Sequence, residues 1–456
     1  MSKHFDPSAI SEFARHYGFH YDRIDPMTLM GEVLSEIENG LAGKPSSLPM
    51  IPTYISPVSK ITPGKTVVAL DAGGTNLRSA LIQFDADGKL VETESLKAPM
   101  PGTRGQLSAD AFFDEIAAVT APLIEKAAGK VDGIGFCFSY AMEITKEADG
   151  VLVGFSKEVD SPEVVGKAIG EGLRRALARR NAPPPERIVL LNDTTATLLA
   201  GGVLSKLSLQ LPAGSPQEDL YGVEAGPVVG FILGTGINTA YPEKCIPKIG
   251  FNSPDAPQII VCESGNFAHR YTGVLDNEYD LTTKNPGTYT LEKAASGAYL
   301  GPLTFHIICR ALRDGLLSFN RQDEFLSWPT MQTRDLNAFL HKPLARLGPV
   351  GELFGKDERG PLSGFVYLSS LVTERAALLS ASLLAAAMEK AGAGSDPFVP
   401  VRAAVEGTTY VIYKGMRGAL ESYLHIMLNR KGKRAYSVAT VEQASLLGAA
   451  VAALSK

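Results

Sequence analysis

Cysteine is scarce in this 456-residue chain: Cys137, Cys245, Cys262 and Cys309 stand far apart, with no CxxC pair and no metal-ligand spacing. That excludes a disulfide-stapled scaffold and points to reduced thiols, hence to a cytoplasmic protein. The seven histidines form no HExxH or HxH pattern, so a tightly held transition metal is not expected. Basic charge is not in excess either. Lys and Arg number 44 against 49 Asp and Glu, a net charge of −5, which argues against a nucleic-acid partner. The two small basic clusters, at 174–180 and 430–434, read as solvated helix faces. Long hydrophobic runs are missing. The longest, residues 376–388, is too short to span a bilayer and reads as a buried core helix. The N-terminal MSKHFDPSAISEF is too polar for a signal peptide, so no membrane association is expected.

What is present is an ordinary globular composition, 45% hydrophobic and 20% charged, in a chain long enough for two or three domains. Two glycine-rich stretches organise it: VVALDAGGTNLRSALIQF at 67–84 and VVGFILGTGINTAY at 228–241. Each reads as an apolar strand that breaks at a glycine turn and resumes as a second strand. Glycine has no Cβ and tolerates positive φ, so backbone N–H groups at such a turn can approach an anion, and a threonine hydroxyl adds a donor. One such turn alone is often just a tight hairpin. Two of them suggest a duplicated phosphate clamp around a cleft.

Taken in order, residues 8–42 read as helical, with Leu29, Met30, Val33, Leu34, Ile37 and Leu41 on one stripe. The Pro- and Ser-rich 44–64 reads as an extended linker, and a domain begins near Thr66. A helix is expected over 109–129, a buried strand over 131–139, and a helix over 161–180 that the prolines at 183–185 end. RIVLLNDTTATLLAGG, 187–202, reads as a strand running into a helix, and 205–226 as a surface loop. One or two helices follow over 291–317, short helices at best over 319–362, and a long helix over 365–390. Strand and turn return at 401–415, and an Ala-rich helix closes the reading at 440–454. Two halves that each open with a hairpin point to α/β domains built on one plan.

LDAGGTNLR, 70–78, resembles the first phosphate motif of the hexokinases, including the eukaryotic-type glucokinases. Four further segments resemble family motifs in the family's order: the stretch 35–55 ending in MIPTY, LLNDTTATLLAGG, ILGTGINTAY, and YDLTTKNPGTYTLEKAASGAYLG at 279–301. The resemblance runs from about residue 30 onward and is weak at 205–226 and 319–362. It implies the two-domain actin/Hsp70-like (ribonuclease H-like) α/β fold, with a sugar and nucleotide cleft between the domains. The small domain would take 65–199 plus 440–456, and the large domain 1–64 plus 200–439. The implied activity is ATP-dependent phosphorylation of a hexose, most naturally glucose, as in the first step of glycolysis. Mg²⁺ and ATP would be bound, by a monomer or homodimer.

Phosphoryl transfer to an alcohol needs a carboxylate to accept the hydroxyl proton. Asp193, at the end of an apolar strand, is the candidate base, although Asn, Asp and Thr there would also cap the following helix. The resemblance makes Asn192, Ser139, Ser156 and Lys157 sugar contacts on the small domain, with Lys157 a second catalytic group beside Asp193. Asn238, Glu263 and Glu292 would be sugar ligands across the cleft, since carboxylates suit vicinal hydroxyls. Glu292 also fits a helix N-terminal acid. Asp71 would orient Mg²⁺ through water, or serve only as a turn residue. Gly73, Gly74, Thr75, Asn76 and Arg78 would lie on one side of the phosphates, with Gly234, Thr235 and Gly236 on the other. Arg78 fits a strand decoration equally well. Gly407 and Thr408, in EGTT, resemble the adenosine-side turn, and Ser445 with Gly448 the start of the C-terminal nucleotide helix.

Several positions depart from the family pattern. Phe-Ser-Phe-Pro becomes FCFSY, placing Tyr140 where proline is usual; Trp-Thr-Lys-Gly becomes FSKE; Met-Glu-Trp-Gly becomes CESG; and the C-terminal turn becomes EQASLLGAA. These changes fall in loops that set sugar and nucleotide preference. They leave open a kinase for mannose, fructose or an amino sugar, and a sugar sensor that has lost turnover.

Overall fold

The computed structural model describes residues 5–57, 61–86, 90–155, 159–207 and 226–455. Two sheets carry the architecture. The smaller runs in the order Leu90–Pro99, Asn76–Phe84, Thr66–Ala72, Gly133–Phe138, Ile188–Leu191. The larger runs Ile51–Pro52, Gln258–Val261, Ile237–Glu243, Val228–Leu233, Val401–Glu406, Tyr436–Thr440. In each, the first strand of a glycine hairpin pairs antiparallel with the second and parallel with a later strand on its other side. The common plan expected from the two hairpins is therefore present in the sheets themselves.

Close backbone approaches join the sheets through two helices. A Cβ on Gly135 of the small sheet would lie 1.7 Å from the Ala449 carbonyl oxygen, so the Ala444–Ala452 helix rests directly on that sheet. On its far side Gly448 meets Ala196 of the Asp193–Leu207 helix, where a Cβ would lie 2.1 Å from the Ala196 oxygen. That helix in turn lies against the large sheet at Gly230, whose Cβ would come within 2.4 Å of the Thr194 oxygen. Small residues at every crossing let sheet, helix, helix and sheet stack with backbones nearly touching. The helix that begins at Asp193 is thus held between the lobes.

The main apolar cluster fills the large lobe around the Arg359–Lys390 helix. This is the one helix, among the described residues, long and apolar enough to cross a membrane by composition, and 94% of its apolar window is buried in the fold. It serves as core, as the 376–388 run suggested.

Several elements differ from the sequence expectation. Residues 8–42 form two helices, Pro7–His16 and Pro26–Leu41, because the chain turns through Gly18 at positive φ and restarts at the Asp25 cap and Pro26. The stretch read as a linker contributes the edge strand Ile51–Pro52, and the Thr53 hydroxyl donates to the Ile259 carbonyl at 2.7 Å. The 161–180 helix begins only at Ile169, after a break at Gly166. Arg434 is not a solvated cation but pairs, partly buried, with Glu389. The loop expected at 205–226 lies almost wholly outside the described residues.

Candidate active site

The first glycine turn is closed by the Gly73 backbone amide donating to the Asn76 carbonyl at 3.0 Å, and the Asn76 side-chain amide donates to the Thr75 hydroxyl at 2.9 Å. Thr75 and Arg78 are exposed, on the open side of the turn. Asp71 lies just before it, opposite Arg78 on one neighbouring strand and opposite Cys137 on the other. Ser139 follows that second strand and donates its amide to the Ala72 carbonyl at 3.2 Å, which brings it beside the turn.

The second turn is held more elaborately. The Gly234 amide donates to Gly236, while the Gly234 carbonyl accepts from the Gly297 amide and from the Thr409 hydroxyl, each at 2.8 Å. Thr409 follows Gly407 and Thr408, so the predicted adenosine-side turn is bonded directly to the predicted phosphate turn. Gly407 has φ +123°, and a Cβ there would lie 2.3 Å from the Leu233 carbonyl oxygen. Only glycine fits this approach. Thr235 and Thr408 are exposed.

Asn192 and Asp193 divide the roles that sequence left joined. The Asn192 side-chain oxygen accepts from the Thr195 amide at 2.9 Å, so Asn192 is the helix cap and Asp193 is relieved of that duty. The Asn192 amide nitrogen is the part of that side chain left to meet a sugar. Asp193 accepts from the Thr194 hydroxyl at 3.2 Å and stands half-buried at the first turn.

On the large lobe, Asn238 donates to Glu263 at 2.9 Å and accepts from the Thr239 and Ser264 amides. Glu263 holds left-handed backbone geometry at φ 56°, uncommon outside glycine and a mark of a constrained position. Glu292 accepts from the Ile237 amide at 3.3 Å and abuts Gly236 and Gly265. It points at the second turn rather than merely decorating its own helix. Burial raises the pKa of both acids; for Glu263 the charges of Asp193 and Glu292 push further in the same direction, against the bond from Asn238.

Glu406 is the group that sequence reasoning undervalued. It ends a strand immediately before Gly407, as Asp71 lies one residue from the end of a strand before Gly73, and that parallel was the available signal. Burial and then the charges of Asp193 and Asp71 raise its pKa to about 7, while the Thr197 hydroxyl, donating at 3.3 Å, pulls it down. The same three carboxylates, after burial, keep the Cys137 thiol protonated, and Ser445 bonds to that thiol. Asp193 thus stands between two acid groups, Asp71 and Glu406 toward the glycine turns and Glu263 and Glu292 toward the large-lobe pocket. Ser156 and Lys157 lie outside the described residues. Tyr140, in the position where proline was expected, donates its hydroxyl to the Gly73 carbonyl at 3.0 Å and packs between Phe138, tilted against it, and Phe155, edge-on to it.

Among the described residues no cluster of three His, Cys, Asp or Glu side chains could hold a metal directly. The hard oxygen donors Asp71, Asp193 and Glu406, close enough to feel one another's charge, fit Mg²⁺, which keeps most of its water shell. The exposed hydroxyls of Thr75, Thr235 and Thr408 at these glycine turns are donors of the kind a triphosphate needs.

Two like-built sheets, a glycine turn on each, and a carboxylate at the head of the helix between them define a two-domain kinase of the actin-like fold. Two family models, both described as hexokinase, match residues 9–203 and 228–455. The chain belongs to the hexokinase family, and is therefore a phosphotransferase with an alcohol group as acceptor. It is 27% identical over 408 residues to hexokinase-2 of Saccharomyces cerevisiae, covering 84% of this chain and 78% of that one. Hexokinase-1 of Schizosaccharomyces pombe is 31% identical over 334 residues, covering 70% and 65%. A solved hexokinase from Schistosoma mansoni, complexed with glucose, shares the fold with a TM-score of 0.71 at 20% identity, covering 98% of this chain and 99% of its own.

Proposed function

We propose that the protein transfers the terminal phosphoryl group of ATP to the 6-hydroxyl of a hexose, with glucose the first candidate. The observation that carries this reading is the position of Asp193, between the acids beside the glycine turns and the acids of the large-lobe pocket, with its capping duty taken by Asn192. Glu263, Glu292 and Asn238 hold sugar hydroxyls, and the Asn192 amide adds a donor from the other side. The carboxylates cost free energy while buried without hydroxyl partners, so the sugar completes the site and favours closure of the lobes.

The sugar's 6-oxygen forms a bond to the γ-phosphorus as the bond from that phosphorus to the β,γ-bridging oxygen breaks, and the hydroxyl proton passes to Asp193. Backbone N–H groups of the 73–76 and 234–236 turns, with Thr75 and Thr235, stabilise the charge on the transferring group. Asp71, with Glu406 nearby, would hold Mg²⁺ through water, and the ion would supply charge neutralisation on the phosphates.

The test is a coupled assay with purified protein, Mg-ATP and a panel of hexoses, with Asp193→Ala in parallel. One sugar should yield its 6-phosphate, and the variant should fall by about 10²–10⁴-fold, the usual weight of a positioned base. If sugar binds but no donor or sugar gives product, the protein is the sensor and this reading fails.

A further inference from the structure

The Thr408–Ile412 helix and the second glycine turn are one packed unit. The Thr409 hydroxyl donates to the Gly234 carbonyl at 2.8 Å, and a Cβ on Gly407 would lie 2.7 Å from the Gly234 nitrogen. Residues three and four apart share a helix face. Thr408, Val411 and Ile412 stand at that spacing and form the exposed face, while Thr409, Tyr410 and Tyr413 are buried. Val411 is 51% and Ile412 57% exposed. A ligand laid over two such aliphatic side chains takes their apolar surface out of water, which favours binding.

The polar side chains that reach this segment from the Thr333–His341 helix are spent on its backbone. Asn337 donates its side-chain amide to the Ile412 carbonyl at 3.2 Å and accepts from the Lys414 amide at 2.8 Å, and His341 Nε2 donates to the same Ile412 carbonyl at 3.0 Å. They hold the segment in place instead of reading a ligand. The rise of an α-helix puts Ile412 about 6 Å beyond Thr408. A triphosphate beside the glycine turn and Thr408 therefore lays its nucleoside along Val411 and Ile412. A flat base covers aliphatic side chains with its face, and guanine or hypoxanthine does so as well as adenine. Apolar contacts of this kind discriminate by about 10–200-fold at most, whereas a site that hydrogen-bonds its substrate rejects the wrong one by about 10⁴–10⁵.

We propose that Val411 and Ile412 form the platform for the base of the phosphoryl donor, and that the protein takes purine nucleoside triphosphates with little regard to which purine they carry. This rests on the phosphotransferase reading for the position of the phosphates and adds to it the class of donor.

The magnesium complexes of the β,γ-imido analogues of ATP and GTP are titrated calorimetrically, with glucose present, into the full-length protein and into the double variant Val411→Ser, Ile412→Ser. Both positions are exposed, so the variant should fold, and a thermal melt checks that it does. The two Kd values should lie within about tenfold of each other, and both should rise about tenfold in the variant, the scale of a partly covered aliphatic pair. A spread beyond tenfold in favour of adenine, a variant that binds both analogues within about twofold of the parent, or no binding at all overturns the proposal. Turnover of Mg-ATP and Mg-GTP is followed on the same samples. Equal binding without turnover refutes the assignment of Asp193 and leaves the platform standing, while turnover confined to ATP does the reverse.

Discussion

Replacing Gly448 by alanine should damage turnover more than it damages the fold. The added Cβ would lie 2.1 Å from the Ala196 oxygen and 2.4 Å from its Cα, whereas ordinary contacts begin near 3.4 Å. The obstacle is backbone, so the two helices must separate by about 1 Å to restore normal contact. Ala196 lies one turn after Asp193 in the same helix, and the proposed base moves with it. A displacement of about 1 Å at a reacting group can cost about 10²-fold in rate. Overpacking costs about 1–3 kcal/mol, but alanine recovers about 1 kcal/mol of helix propensity over glycine. The net stability loss is therefore about 0–2 kcal/mol. The assay is kcat and both KM values from the coupled reaction, beside a thermal melt. Gly31→Ala is the control, because its Cβ would meet nothing within 4 Å. A folded Gly448→Ala protein with kcat within about threefold of the parent would refute the claim that this crossing positions Asp193.

Three further outcomes are expected. Tyr140→Phe removes the bond to the Gly73 carbonyl, worth about 1 kcal/mol, so the KM for ATP should rise about fivefold with the glucose KM little changed; the reverse order would mean that Tyr140 serves the sugar. Glu406 holds its proton more tightly folded than unfolded, so it contributes stability fully below its ordinary pKa of 4.5 and loses that contribution as pH rises through about 7. Melts of the ligand-free protein should show Glu406→Gln gaining on the parent across that window, and a difference independent of pH would contradict the assigned shift. Arg375→Ala strands Asp276 as an unpaired buried carboxylate and should cost about 3–5 kcal/mol in a urea titration, since the Arg375 side chain is 0% and that of Asp276 only 11% exposed.

Both hairpins and the strand into Asp193 were legible because each is a continuous apolar run stopped by glycine or by an Asn-Asp pair, and buried parallel strands leave that mark. The strand Leu90–Pro99 left no such mark. It lies at the sheet edge with most of its residues exposed or half-exposed, so LVETESLKAP carries too little apolar periodicity to read. Ile51–Pro52 was hidden by the prolines around it, which an edge strand tolerates. At the site, residue types were readable and their couplings were not. The Tyr140–Gly73 bond joins positions 67 apart, and the Glu406 shift needs carboxylates from three separate segments. The division of labour between Asn192 and Asp193 turns on which of two adjacent polar residues caps the helix, and composition alone is silent on that choice.

The seating of the Ala444–Ala452 helix on the small sheet bears on how the protein is made. Its alanines share one apolar cluster with Val67, Ala69, Cys137, Val189 and Leu191, from strands synthesised far earlier. About 250 residues separate Leu191 from Ala444. At roughly 5–20 residues per second on the ribosome, that sheet face waits about 13–50 s for its cover. During that interval the nascent chain presents an apolar surface whose native partner does not yet exist, a natural target for chaperone binding and a site where premature termination would leave a sticky, half-built lobe.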